Sequence, residues 1–338
     1  MKIDAHIEYQ ALSEVPQLVR AAEDFGFDGV WFSETSHDPF LAAVLAAEHT
    51  RRVSIGTSVA IAFARSPTVL AHTAWDLAAY SNGRFILGLG SQVKAHITRR
   101  FGVPWEPPAP KLRETVEAIR SVWAAWRDGG PLNFRGRFYT LTLMTPFFTP
   151  PPQGAPIPIV TAGVNPPMCR AAGAVADGFQ VHPLHTAAYL RDVIRPAIEA
   201  GRRASGRGGL PFSIAASVFA ITGTDTAAVA RARERVRRTI AFYASTPSYR
   251  GVLAHHGWAA IGERLSALAA RGRWTEMPAL VTDEMLTALA VESLDVEIGG
   301  KLVDRYGSLV DRIGIYEPFA PGDPAPWQSL LRAARTES

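Results

Sequence analysis

A strand–helix alternation that starts with the first residues and runs almost to the last limits this chain to very few folds. Lys2–Glu8 reads as a strand, and Ser13–Phe25 as a helix with Ser13 as its N-cap and Gly26 as its stop. Gly29–Ser33 is a buried-strand run, Pro39–Thr50 an alanine-rich helix, Val53–Phe63 a strand and Thr68–Ser81 a helix ended by Asn82-Gly83. Arg84–Gly90 is again a strand, and Lys111–Asp128 a long helix. The beat resumes with strand Ile157–Ala162, helix Asn165–Asp177, strand Gly178–His182, helix Thr186–Arg203 and strand Phe212–Thr222. Arg312–Glu317 supplies the last strand.

Strands alternating with helices give either a doubly wound open sheet or a barrel. Eight strands favour closure into an α/β (β/α)₈ TIM barrel. With 338 residues the chain exceeds the ~250 of a minimal barrel. The excess falls in two places. A hairpin, Phe134–Tyr139 turning at Arg135-Gly136, and a proline-rich stretch form an insertion after strand four, at about residues 130–156. The almost wholly helical Asp225–Leu294 exceeds one crossover, so a helical insertion follows strand seven, at about 240–295. No linker divides the chain, and residues 1–338 read as a single domain.

Composition excludes several classes. Apolar residues make up 47% and charged residues 20%, enough for a large core. The net charge of +4 comes from an arginine-rich set without a basic tail, which argues against nucleic acid. Cys169 is the only cysteine, so no intramolecular disulfide forms. No basic leader with an apolar run opens the chain and no stretch reads as a membrane span, so a cytoplasmic location is expected.

Barrel chemistry sits at the C-terminal strand ends. These ends hold His6 and Glu8, then Glu34 to Asp38, Ser58 to Ala60, Ser91 to His96, Ala162 to Asn165, His182 to His185, Ser217 with Phe219, and Glu317. His37, His96 and His182 come from three different strands. Any one of them reads equally well as a core histidine. A metal site built on them lacks the spacings that would support it near strand one, and none is expected. Gly88-Leu-Gly90 lacks the third glycine of a dinucleotide fingerprint but allows a planar ligand close to the backbone. Phe40, Phe63, Trp105, Phe147, Phe148 and Phe219 are expected to line the mouth and favour a small, largely apolar organic substrate.

Several short motifs together resemble the bacterial luciferase-like superfamily. They are Ser33-Glu34, Ile55-Gly-Thr-Ser-Val59, Arg65-Ser-Pro67, Asn82-Gly-Arg-Phe-Ile-Leu-Gly-Leu-Gly90, Ala162-Gly163 and Ala176-Asp177-Gly178. Glu34-Thr-Ser-His-Asp-Pro-Phe40, Gly90-Ser-Gln-Val-Lys94 and Met144-Thr-Pro-Phe-Phe148 are similar to its coenzyme F420-dependent oxidoreductase branch. The resemblance implies a reduced 5-deazaflavin over the barrel mouth, with FMN as the alternative cofactor. It implies a cis peptide bond at Ser58–Val59 backing the ring, with Ser58, Val59 and Ala60 as cofactor-binding residues. Glu34 would contact the cofactor edge, Gly163 and Val164 its phosphate, and Ser91 and His96 would close over the ring. A homodimer is implied as well.

The superfamily's sugar-phosphate and alcohol dehydrogenases place a histidine directly after the strand-two acid and a glutamate in the strand-four loop. Here Thr35 and Gln92 or Val93 stand there, so that pair does not carry over. His37 and His182 are the catalytic candidates, as proton carriers with an ordinary pKa near ~6.5. The implied activity is hydride transfer between reduced coenzyme F420 and a small-molecule substrate. The alternatives are an FMNH₂-dependent monooxygenase and a non-catalytic flavin-binding barrel.

Overall fold

In the computed structural model, which describes residues 1–336, eight parallel strands close into a barrel. They are β1 (Lys2–His6), β2 (Gly29–Phe32), β3 (Ser54–Thr57), β4 (Phe85–Gly90), β5 (Ile159–Gly163), β6 (Gly178–Val181), β7 (Ser213–Ile221) and β8 (Arg312–Ile315). Each pairs with its neighbours in sequence order, and β8 pairs back onto β1 with Lys2 opposite Arg312. The α/β (β/α)₈ expectation holds. All four residues of β2 are buried, as expected of a parallel strand covered on both faces.

The helices include α1 (Val15–Phe25), α2 (Pro39–His49), α3 (Pro67–Tyr80), α4 (Pro108–Asp128), α5 (Pro166–Val175), α6 (Arg195–Ala204), α7 (Thr226–Ala244), α8 (Ile298–Tyr306) and α9 (Ala325–Thr336). Three of them start the same way at the barrel mouth. Asp38, Ser66 and Asn165 each cap a helix with a side-chain oxygen, and each is followed by proline at the first helical position. Proline there loses no intrahelical bond, and the cap satisfies one orphan N–H. These loops are therefore sharply fixed, and they carry the site.

Local departures from the sequence expectations have simple causes. Ser13 does not cap α1. Of the two N–H groups such a cap could use, residue 16 is proline and has none, and that of Val15 goes to the Leu12 carbonyl in a 3₁₀ turn over Leu12–Glu14. The third strand is interrupted. After Thr57 comes a cis peptide bond between Ser58 and Val59, as the resemblance implies, and Ala60–Ile61 then rejoins the sheet beside β4. The helix expected over Thr186–Arg203 contains a π turn, Leu190–Ile194, just before Pro196. Within the segment expected to be almost wholly helical, Ala290–Glu292 forms an extra strand parallel to β7. The hairpin pairs Phe134–Arg135 with Thr140–Leu141, and its turn runs over 136–139 rather than at 135–136. Glu114 of α4 accepts from the N–H groups of Arg137, Phe138 and Tyr139, tying that turn to the barrel wall.

Candidate active site

The strand ends open onto a cavity of about 540 Å³ at the C-terminal mouth, within the size range of cofactor and small-molecule sites. Glu34, His37, Ser58, Val59, Ser91, Gly163, Val164 and His182 all face it. Ala60 and His96 do not. Ala60 is buried in the strand segment beside Leu89. His96 is exposed because the short helix Lys94–Arg99 turns Ile97 inward, which puts its neighbour outside.

The Ser58–Val59 wall is pinned from both sides. Ser33 Oγ donates to the Ser58 carbonyl at 2.6 Å. Thr57 Oγ1 donates to the Gly88 carbonyl at 2.6 Å and accepts from the Gly88 N–H at 2.9 Å. A Cβ on Gly88 would lie 1.8 Å from the Thr57 carbonyl oxygen, and one on Gly90 would lie 2.4 Å from Val59 Cγ2. Gly88 therefore admits the neighbouring β3 segment, while Gly90 packs against Val59 and also lines the cavity.

Glu34 is committed to this same wall. Its carboxylate accepts from the Ile61 N–H at 2.7 Å and from Arg65 Nη1 at 2.6 Å. Arg65 also pairs with Asp38 at 2.8 Å and stacks over Phe40, with 5.3 Å to the ring centroid. The side chain expected at a cofactor edge thus braces the segment that follows Val59.

At the head of α5, positions 166 and 167 are both proline and have no N–H to offer. Met168 N–H goes to the Asn165 side chain at 3.2 Å, and Cys169 N–H to the Asn165 carbonyl. The helix N-terminus therefore offers fewer donors than a phosphate-binding helix does. Among the described residues, the N–H groups of Val164 and Asn165 donate to no protein acceptor, and both residues line the cavity.

The two histidine candidates differ. His37 is half-buried and stacks on Tyr9, with ring centroids 4.9 Å apart. His182 packs against Tyr249 at 4.1 Å and Tyr243 at 4.8 Å. Burial among these rings, with His185 nearby, pushes its pKa down to about 3. Its Nδ1 accepts the Leu184 N–H at 3.1 Å, so the neutral ring carries its proton on Nε2. His182 is therefore a neutral hydrogen-bond donor near pH 7, not the ordinary titrating base expected from sequence. His6, also on the cavity wall, is pushed down to about 4 by burial.

The aromatic lining is also different from the expected one. Trp105 faces the cavity, but Phe40, Phe63 and Phe219 are core residues at 7%, 4% and 1% exposure. Phe147 and Phe148 stand exposed on a 3₁₀ turn, Pro146–Phe148. The mouth is walled instead by phenols, namely Tyr9, Tyr243, Tyr249 and Tyr316. Tyr316 immediately follows β8, one residue before Glu317, which turns away to pair with Arg235. Tyr243 and Tyr249 come from the helical segment after β7. Position relative to a strand end signals Tyr316, but no local pattern signals the other two. The acids Asp4, Glu8 and Glu34 face the cavity, and none of its lining residues is Lys or Arg.

A closed eight-stranded barrel with its ligand cavity at the C-terminal strand ends defines the structural class. A family model of luciferase-like monooxygenases matches residues 1–312, and the chain belongs to that family. An uncharacterized protein of Mycobacterium tuberculosis is 46% identical over 93% of this chain and 92% of its own. An F420-dependent glucose-6-phosphate dehydrogenase of Amycolatopsis mediterranei is 32% identical, over 54% of this chain and 57% of its own. The coenzyme F420-dependent tetrahydromethanopterin reductase from Methanopyrus kandleri shares the fold, with a TM-score of 0.76 at 21% identity, across 98% of this chain and 96% of that one.

Proposed function

We propose that this chain is a coenzyme F420-dependent oxidoreductase acting on a small organic substrate. One observation carries the reading. The mouth cavity is the right size for a tricyclic ring, has Ser58–Val59 as a braced wall, and holds two unengaged N–H groups at Val164 and Asn165. These residues fit a flavin-type cofactor. Ser58 and Val59 would back its ring, and the Val164 and Asn165 N–H groups would donate to its phosphate. When bound, such a cofactor supplies two-electron hydride chemistry.

The protein's own contributions follow from the geometry. Glu34 and Arg65 hold the wall in place. His182 presents Nε2–H to a ligand, and half-buried His37 lines the cavity, stacked on Tyr9. The F420-dependent relative supports the deazaflavin. The family itself supports a second reading, a reduced-FMN monooxygenase using the same cavity. Parallel fluorescence titrations with coenzyme F420 and FMN test the choice. Micromolar or tighter binding of F420 with no binding of FMN is expected, whereas the reverse pattern would overturn the proposal.

A further inference from the structure

Tyr243 ends α7, Tyr316 follows β8, and both face the cavity. Their hydroxyls lie 2.5 Å apart. A phenol has one proton to donate, so within this pair one hydroxyl donates and the other keeps its own proton free. Neither hydroxyl has another hydrogen-bond partner among the described residues. The free proton is therefore available to a ligand, strengthened by the bond its oxygen already accepts.

The surroundings hold the pair still. Phe219 packs edge-on against Tyr316 at 4.9 Å and tilted against Tyr243 at 6.4 Å, while the edge of Tyr243 meets His182. A donor fixed in place by packing does not need to reorganise when a ligand arrives. We propose that the Tyr243–Tyr316 hydroxyl pair is the donor site for the carbonyl oxygen of an uncharged, conjugated substrate such as an enal, enone or quinone.

Charge selects this class. Anionic ligands such as sugar phosphates are ordinarily held by Arg or Lys. The cavity lining has neither, and of its acids Asp4 and Glu34 are already paired with Arg312 and Arg65, which leaves Glu8 as the carboxylate without an ion-pair partner among the described residues. Burial, helped by Tyr243 and by the charge of Glu8, pushes the Tyr316 pKa up, so the phenol stays protonated and neutral. A neutral carbonyl gains the hydrogen bond without the repulsion, and a planar conjugated body packs well against aromatic walls. The proposal rests on the reading above only in that the cavity takes an organic substrate.

The probe is para-dimethylaminocinnamaldehyde, whose visible absorption moves to longer wavelength when its carbonyl accepts a hydrogen bond. The protein is expected to bind it with a red shift and to bind para-dimethylaminocinnamate, the anion of similar shape, at least about tenfold more weakly. Tyr316→Phe and Tyr243→Phe keep the rings and should each shrink the red shift, and the double variant should abolish it, with affinity falling about tenfold, a typical loss for a buried hydrogen bond. Tyr80→Phe, on the outer surface, should change neither. An unchanged shift in both cavity variants, carboxylate binding as tight as aldehyde binding, or no aldehyde binding by the unaltered protein would each overturn the proposal. The carboxylate comparison needs no variant, so it decides even if a substitution prevents folding. Deazaflavin binding is followed separately by fluorescence. Its absence with the shift intact removes the hydride reading alone, and its presence without the shift removes this inference alone.

Discussion

Asp4 on β1 and Arg312 on β8, 308 residues apart in sequence, form a buried two-point ion pair across the seam where the barrel closes. Arg312 Nε and Nη2 reach the two carboxylate oxygens at 2.8 and 2.5 Å, and the guanidinium lies over Trp31. Gly29 makes room for the pair, because a Cβ there would meet both Asp4 Oδ1 and Arg312 Nη2 at 2.6 Å. Removing one partner strands the other charge inside the barrel, which typically costs about 3–5 kcal/mol. Asp4→Ala should lose stability on that scale in urea unfolding. The double change Asp4→Leu with Arg312→Met should recover most of it. A single variant within about 1 kcal/mol of the parent would show that the seam does not depend on this pair.

Acid sensitivity follows from three histidines, His185 buried and His6 and His182 partly buried on the cavity wall. Burial pushes His6 and His185 down to about 4 and His182 to about 3. The unfolded chain protonates them near ~6.5, so between that pH and about 4 it binds more protons than the folded one. Their contribution to stability is therefore complete above pH ~6.5 and is lost as pH falls. At pH ~5.5 each should have lost about 1.4 kcal/mol, roughly 4 kcal/mol in all. Unfolding curves at several pH values measure the slope. His182→Gln should reduce it by one proton, and an unchanged slope would contradict the buried neutral state.

The barrel was legible because periodicity and strand count are local signals, and eight parallel strands with helices between them have few ways to pack. Strand-end positions found Glu34, His37 and His182, and the resemblance located the Ser58–Val59 bond. What escaped was set by contacts distant in sequence. That Glu34 also braces the wall emerges only when Arg65 and the Ile61 N–H are seen to engage it. Gly88 reads as ligand-facing until Thr57 is seen to fill the space, whereas Gly90 packs on Val59 and still lines the cavity. Tyr243 and Tyr249 belong to a helical segment whose sequence gives no hint that it folds back over the mouth. His96 illustrates the reverse case, a correct loop in which a single helical turn faces the side chain outward.

Because Glu34 braces the cavity wall, its replacement should act on cofactor binding. Glu34→Ala removes both the Ile61 N–H acceptor and the partner of Arg65, leaving a partly buried guanidinium paired only with Asp38. Deazaflavin affinity should fall at least about tenfold, since the loss of a charge-assisted hydrogen bond costs about 1.5–3 kcal/mol. Glu34→Gln keeps an acceptor for Ile61 and should lose less. Fluorescence titration of the two variants distinguishes bracing from direct contact. Equal losses in both would favour a charge contact with the cofactor.

Asn165 separates a side-chain role from a backbone role at the head of α5. Its side chain caps the helix through Met168, and its own N–H is one of the two cavity N–H groups that donate to no protein acceptor among the described residues. Asn165→Ala deletes the cap and keeps the N–H. Loss of an N-cap costs about 1 kcal/mol of stability, and a unfolding midpoint shift of that size is expected. Cofactor affinity should change by less than about threefold, because the alanine N–H occupies the same place in the loop. A tenfold loss of affinity with unchanged stability would transfer the phosphate-binding role from the backbone to the asparagine amide.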